Sequence, residues 1–302
     1  MAEHNSAASV GAIIPAYNAE SYVRDAIESV LAQSRPVVDC VVVDDGSTDA
    51  TAAVARDYGP PVRVVRQENR GVSAARNRGA AEAEGALLAF LDADDRWLPE
   101  RLKLGVEALE RADSAEAVVC ATRVVDGHWR RLEVIVPDPS ATAEDLLLCR
   151  ARVVSPSSNL LIRRRAFQGV GGFDERLSTS ADWAFTFRLL ERGTLLSLPQ
   201  PLVEYRRHGS NMSADVSLFE RDMLRAFGIV FADAPPRTAR LRRRAYANLH
   251  RMIAGSYFVE GELAAFARHA ARSIGTHPST LPYFLGLPLR RRRVTADSKP
   301  LR

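Results

Sequence analysis

Lysine is nearly absent from this chain of 302 residues. Lys103 and Lys299 are its only two, so 41 − 2 = 39 of the basic residues are arginine. Cysteine is scarce as well. Cys40, Cys120 and Cys149 are odd in number and without paired spacing, which argues against a disulfide framework and a zinc site. Cys40 in "DCVVVD" and Cys120 in "AVVCAT" lie in apolar runs and read as small core residues. No apolar run approaches the roughly 20 residues that cross a bilayer. The opening "MAEHNSAASVGAIIPAYN" lacks the basic and apolar regions of a signal peptide, so a cytoplasmic location is the expectation. The net charge is only +4 and no nucleic-acid module is recognisable, so no nucleic-acid partner is expected. The first strand is followed by "PAYNAE" rather than G-x-G-x-x-G, which argues against a nicotinamide-dependent oxidoreductase.

What is present is an alternation. β-branched runs ("VGAIIPA", "DCVVVDD", "VRVVRQ", "ALLAFL") take turns with helical patterns. In "AESYVRDAIESVLAQS" the residues Tyr22, Val23, Ala26, Ile27, Val30 and Leu31 share one face. "STDATAAVARDYG" reads as a helix with Ser47 or Thr48 as N-cap, and "GVSAARNRGAAEAEG" as one closed by Gly85. Such alternation predicts an α/β fold with a mostly parallel central sheet flanked by helices. After Pro99 the pattern gives a helix, the strand "AEAVVCATRVV", a helical "AEDLLLCRARVV" and the helix "ADWAFTFRLLERG". From about Ser217 it is helical throughout, a C-terminal extension in which self-association to a homo-oligomer would fall.

The run "FLDADD" poses a chemical problem. Asp92, Asp94 and Asp95 are crowded at the end of an apolar strand, where like charges raise one another's pKa unless something positive compensates. Ligands of open α/β sheets bind beyond the strands' carboxyl ends. Three polar clusters, "PAYN", "DDGSTD" and "DADD", all lie at such ends. Asp92 and Asp94, two apart, would point the same way in extended chain and suit Mg²⁺ or Mn²⁺ with substrate phosphates. The plainer reading is that Asp94 or Asp95 caps the following helix.

The clusters are not isolated. "IIPAYNAESYVRDAIESVLAQS", "VVVDDGSTDAT", "QENRGVSAARNRGAAEAEG", "FLDADD", "GGFDERL" and "SADWAFTFRLLERG" resemble, in order and spacing, the family 2 glycosyltransferases, with "YRRHGSNMS" following. The resemblance covers about Val10 to Ser213. It implies the GT-A fold (Rossmann-like), inversion at the anomeric carbon, and a nucleotide-diphosphate sugar donor, usually a UDP-sugar. It further implies that Pro15, Tyr17, Asn18, Asp44 or Asp45, Arg76, Asp92, Ala93 and Gly172 bind that donor. Asp94, with Asp92 and His208, would hold Mn²⁺ or Mg²⁺. Asp182 would be the catalytic base.

Each assignment has a plainer competitor. Asp182 would equally cap its helix, and Asp174 and Glu175 compete with it as carboxylates. Ala181 stands where many relatives carry an acidic residue, a hint towards a nucleotide-sugar-binding protein without turnover. His208 could be structural, Trp183 could be core rather than an acceptor platform, and Gly171–Gly172 could be a plain turn. The resulting division is a flexible stretch 1–9, a glycosyltransferase domain 10–213 (nucleotide-binding half 10–125, acceptor-side half 126–213), a helical subdomain 214–285 and a disordered basic tail 286–302. "RLRRR" and "RRRR" near the C-terminus would suit peripheral contact with an anionic membrane, each basic residue contributing about 1 kcal/mol, and hence a lipid-linked or glycan acceptor. The plainer reading is a solvated tail.

Overall fold

Valine and isoleucine fill the first strands of the computed structural model, which describes residues 9–151, 157–209, 211–212 and 215–286. The predicted tail, including Arg290 to Arg293, and residues 1–8 lie outside the described residues. Chain order is β1 (Val10–Ala16), α1 (Val23–Leu31), β2 (Asp39–Asp44), α2 (Thr51–Arg56), β3 (Val62–Arg66), α3 (Val72–Glu82), β4 (Leu87–Phe90) and β5 (Arg96–Trp97). There follow α4 (Arg101–Arg111), β6 (Ala115–Val125), β7 (Arg131–Ile135), α5 (Ala143–Leu147), β8 (Leu161–Arg163), α6 (Arg164–Gly169), α7 (Ala181–Arg192) and β9 (Thr194–Arg206). Among the described residues the strands form one sheet in the order β3-β2-β1-β4-β8-β6-β9-β5, with β7 paired to β6.

The first four strands are parallel, as their alternation with helices implied. Every residue of β1, β2 and β4 is buried, the pattern of strands covered on both faces. α1 covers the sheet with Val23, Ala26, Ile27 and Val30, while Leu31 from the expected face is exposed. α3 lies so near the sheet that a Cβ on Gly79 would stand 2.3 Å from Ile13 Cγ2. Beyond β4 the sheet is mixed: β8 is antiparallel to β4 and β6, β9 is parallel to β6, and β5 is antiparallel to β9.

Three local expectations are corrected. Ser47 and Thr48 do not cap α2, which begins at Thr51; the Ser47 amide instead donates to Asp44, and its hydroxyl accepts from Asn18. Neither Asp94 nor Asp95 caps a helix, because β5 follows them and α4 starts only at Arg101. The helix expected over "AEDLLLCRARVV" stops at Leu147, and Cys149 has left-handed backbone (φ 50°).

A second unit comprises Leu147–Arg150 and the chain from Asp215. It contains α8 (Val216–Ala232), α9 (Pro236–Ala239), α10 (Arg242–Glu260), α11 (Leu263–Thr276), a 3₁₀ turn (Pro278–Thr280) and α12 (Leu281–Leu285). The Asp215 carboxylate accepts the Leu218 amide and starts α8. Gly261, at φ 86°, ends α10 and turns the chain into α11. Among the described residues no helix is long and apolar enough to cross a membrane.

Candidate active site

Because β1, β2 and β4 are parallel, their carboxyl ends share one edge of the sheet, and the three polar clusters of the sequence meet there. At the end of β1, Pro15 is buried within the strand, whereas Tyr17 is half exposed. Asn18 is in left-handed backbone (φ 48°) and ties this loop to the next: its side-chain Oδ1 accepts the Thr48 amide at 2.9 Å. At the end of β2, Asp45 is nearly enclosed. It accepts the side-chain amide of Gln67 (2.8 Å) and the backbone amides of Arg70 (2.9 Å) and Gly71 (2.8 Å). The carboxylate thereby shapes the loop entering α3. Asp44 is corrected as a donor-binding candidate. It has no exposed surface, accepts the Ser47 amide and faces Arg66 Nε at 3.3 Å, so it holds the loop and cannot meet a ligand.

The "DADD" run is a turn closed by the Asp95 amide on the Asp92 carbonyl (3.1 Å), not the extended chain expected. The outward–inward alternation nevertheless holds: Asp92 and Asp94 are partly exposed, Ala93 and Asp95 buried. Each crowded carboxylate has its own donors. Asp92 is bonded at 2.7 Å by Arg76, a guanidinium 5% exposed that lies over the Phe173 ring. Asp94 meets His208 Nε2 at 3.0 Å and Asn211 Nδ2 at 3.2 Å. Asp95 accepts the Ser158 hydroxyl and the Arg206 amide (2.9 Å). Burial, then the neighbouring carboxylates, pushes the Asp95 carboxyl well above its ordinary range. Asp94 is raised for the same reasons, with His208 opposing the shift.

Among the described residues no three His, Cys, Asp or Glu side chains form a ready ligand set. The three expected ligands divide, Asp92 going to Arg76 while Asp94 and His208 meet. A carboxylate oxygen beside an imidazole nitrogen is a donor pair that suits Mn²⁺, and the remaining positions would fall to water and substrate phosphates. In that two-ligand form the residues fit the cation; as a three-ligand set they do not.

Behind His208 stands a pile of flat groups. Its ring stacks on Tyr22 (4.8 Å, 16°), and the buried Arg206 guanidinium covers the Tyr22 ring (5.1 Å). Arg206 also lies 3.7 Å from the Trp129 ring centre, whose other neighbour is Arg96 at 3.8 Å. Asp25 pairs with Arg206, and Glu204 joins Arg96 to Arg123.

Asp182 is the second residue of α7, with Ser180 rather than Asp182 in the N-cap position. Its Oδ1 accepts the Trp183 amide at 2.7 Å. One turn on, Phe185 stacks on Phe173 (4.7 Å), the ring beneath Arg76. Trp183 is partly buried and stacked along its own helix on Phe187 (6.0 Å). Gly172, at φ 66°, leaves room for Asn77: an added Cβ would meet Asn77 Oδ1 at 2.7 Å. Of the competing carboxylates, Asp174 is gripped by Arg176 at 2.7 and 2.9 Å and held below the ordinary range, and Glu175 pairs with Arg70 at 2.9 Å.

Sequence reasoning singled out His208 but missed Asn211, three residues on in the same "HGSN" stretch. It also missed Tyr22, Trp129 and Arg206, whose partners come from distant segments that no local pattern joins.

Comparison with known proteins gives this geometry its context. Residues 12–171, just over half of the chain, match the model of glycosyl transferase family 2. An uncharacterized glycosyltransferase of Rickettsia prowazekii is 30% identical over 67% of this chain and 64% of its own length. One of Nostoc sp. is 32% identical over 73% of this chain and 72% of its own. TuaG of Bacillus subtilis, named for teichuronic acid biosynthesis, is 30% identical over 68% and 82%. The matched stretch thus spans less than two thirds of the Rickettsia prowazekii relative. Among solved structures, S. aureus TarS (residues 1–349) in complex with UDP-GlcNAc superposes with a TM-score of 0.64 at 20% identity, over 89% of this chain and 81% of that one. The Pyrobaculum calidifontis mannosyltransferase PcManGT, in complex with GDP-Man and Mn²⁺, gives 0.60 at 21%, over 93% and 79%. This chain has the GT-A fold and belongs to glycosyl transferase family 2.

Proposed function

We propose that the protein transfers a sugar from a nucleotide-diphosphate donor, a UDP-sugar by preference, to an acceptor hydroxyl by single displacement with inversion. The observation that carries this reading is the convergence of Arg76–Asp92 and His208–Asp94 on one turn at the carboxyl edge of a parallel sheet. Tyr17 and Asp45 flank the nucleobase there, and Asp92 with Ala93 lies along the ribose. Asp94 and His208 would hold Mn²⁺ or Mg²⁺, and such an ion would supply Lewis-acid stabilisation of the diphosphate's charge. Arg76 adds a fixed guanidinium near the same charge.

An acceptor hydroxyl must lose its proton as it attacks, so a carboxylate has to receive it. Asp174 is gripped by Arg176 and held below the ordinary carboxylate range, which makes it a poor proton acceptor, and Glu175 is paired with Arg70. Asp182, in the first turn of α7 with its Oδ1 accepting the Trp183 amide, is the carboxylate to which that role falls. The name of TuaG supports an acceptor on a cell-envelope glycan or lipid-linked carrier. A nucleotide-sugar-binding protein without turnover is the second reading, which Ala181 favours.

The test is Asp182→Asn. UDP and Mn²⁺ affinity, measured by calorimetry, should stay within a few-fold while transfer falls by orders of magnitude. Transfer that survives the substitution moves the base elsewhere. Failure of the unaltered protein to release UDP from any nucleotide sugar favours the binding-protein reading.

A further inference from the structure

The C-terminal unit contains a cavity of about 430 Å³ whose wall, among the described residues, carries guanidinium groups and no carboxylate. Arg244, Asn248 and Arg251 line it from one face of α10, at the spacing that aligns side chains along a helix. Arg150 faces them from the segment after α5, which Asn248 anchors by donating to the Leu148 carbonyl at 2.9 Å. His277 and Ser279 complete the polar wall and bond to each other at 2.5 Å. Tyr283 stiffens it. The Arg251 guanidinium lies 4.9 Å over the Tyr283 ring, and the Tyr283 hydroxyl rests so close to α10 that a Cβ on Gly255 would meet it at 2.8 Å.

Arg242, Arg243 and Arg244 form the first turn of a nineteen-residue helix with no acidic residue in that turn, so cations stand where the helix dipole is already positive. Arg244 and Arg251 bring two like charges to this hollow, and an anion between them would relieve their repulsion. Guanidinium forks bind the oxygens of phosphate in pairs, and hydroxyl and imidazole donors complete such a shell. The volume falls in the range of small-molecule pockets and exceeds what one isolated ion requires.

We propose that this cavity is a binding site for a phosphoester or diphosphate group, formed wholly within the C-terminal unit and independent of the nucleotide-sugar site. A lipid headgroup and a soluble phosphorylated molecule both present that chemistry.

The probe is inorganic pyrophosphate, titrated calorimetrically into the full chain in EDTA so that no divalent ion can bridge it to Asp94. Binding should persist in Asp94→Asn and weaken at least tenfold in Arg244→Gln/Arg251→Gln, with the lysine pair Arg244→Lys/Arg251→Lys intermediate. In the unaltered protein, pyrophosphate should protect Arg244 and Arg251 from phenylglyoxal, read by mass spectrometry, a measurement that needs no folded variant. Absence of binding, binding unchanged in the double glutamine variant, or absence of protection overturns the site. UDP binding by the double glutamine variant reports separately on the glycosyltransfer reading. Vesicles of phosphatidylcholine with and without phosphatidic acid identify the source. Sedimentation with phosphatidic acid that falls in the double variant points to a headgroup; pyrophosphate binding without such sedimentation points to a soluble phosphoester.

Discussion

His208 Nε2 stands 3.0 Å from Asp94 Oδ2, joining residues 114 positions apart in the chain. Asn211 braces the pair from both sides, its Oδ1 accepting the His208 backbone amide at 2.5 Å while its Nδ2 reaches Asp94. If the pair holds a divalent ion, His208→Ala removes one of only two protein ligands. Mn²⁺ affinity, followed by the electron paramagnetic resonance of free Mn²⁺, should fall at least tenfold. Asn211→Ala, which removes only the brace, should fall by less, because both protein ligands remain. Equal Mn²⁺ affinity in His208→Ala and the unaltered protein would exclude the imidazole as a ligand.

Trp129 supports this site from a distance. Its indole lies between Arg96 and Arg206, and Arg206 in turn covers Tyr22, on which His208 stacks. Each cation–π contact of a partly desolvated arginine contributes about 0.5–2 kcal/mol. Trp129→Ala should therefore lower unfolding stability by about 2 kcal/mol and loosen the orientation of His208. Trp129→Phe, which restores a ring face, should recover part of the stability. Denaturant melts of both variants check this, and indistinguishable midpoints would refute it.

How legible was this architecture in the sequence? The parallel half was legible because each strand there is short, apolar and followed by an amphipathic helix, so two periodicities point the same way. β9 was not. Pro199 and Pro201 disguise it, and they are tolerated because the pairing with β6 skips between Cys120↔Leu198 and Ala121↔Pro201. β8, three residues long, carries no periodicity at all. At the site, the carboxylates and Arg76 were legible through their ordered motifs. The disposition of their charges was not. A repeated aspartate suggested an external cation, whereas the chain supplies Arg76, His208, Ser158 and the Arg206 amide from segments scattered between positions 76 and 208. Asp44 and Asp45 are adjacent and look equivalent in sequence. Only the fold separates the fully enclosed one from its neighbour at the loop.

Arg164 provides a test of the fold that is independent of catalysis. Its guanidinium donates to three carbonyls at and just beyond the end of α3: Ala80 (2.9 Å), Ala83 (2.7 Å) and Gly85 (2.7 Å). The last carbonyls of a helix lack intrahelical partners, and a cation there also meets the negative end of the dipole. Arg164→Met should cost about 2–4 kcal/mol, because hydrogen bonds to a charged group contribute about 1.5–3 kcal/mol each and water replaces part of them. Arg164→Lys should recover little, a single ammonium being unable to reach three carbonyls in a fork. Recovery by lysine to native stability would show that charge, not fork geometry, is what α3 requires.

The C-terminal unit should lose stability in mild acid. His250 Nδ1 and His269 Nδ1 are 3.0 Å apart, both side chains are buried, and His269 Nε2 meets Glu220 at 3.0 Å. Burial, then the neighbouring His269, lowers His250 from 6.5 to about 4. Burial also lowers His269, against the pull of Glu220. Both shifts run downward, so between pH 6.5 and 4 the unfolded chain binds protons that the folded chain refuses. Stability then rises with pH in this window. It should be level above pH 6.5 and fall as pH drops towards 4. Hydrogen exchange of the α10 and α11 amides, corrected for intrinsic rate, should show weaker protection at pH 5 than at pH 7. In His250→Asn, which keeps a polar atom near the Nδ1 position but cannot take up the proton, that difference should shrink. Protection equal at the two pH values in the unaltered chain would mean that the folded pair takes up protons as readily as the unfolded chain does.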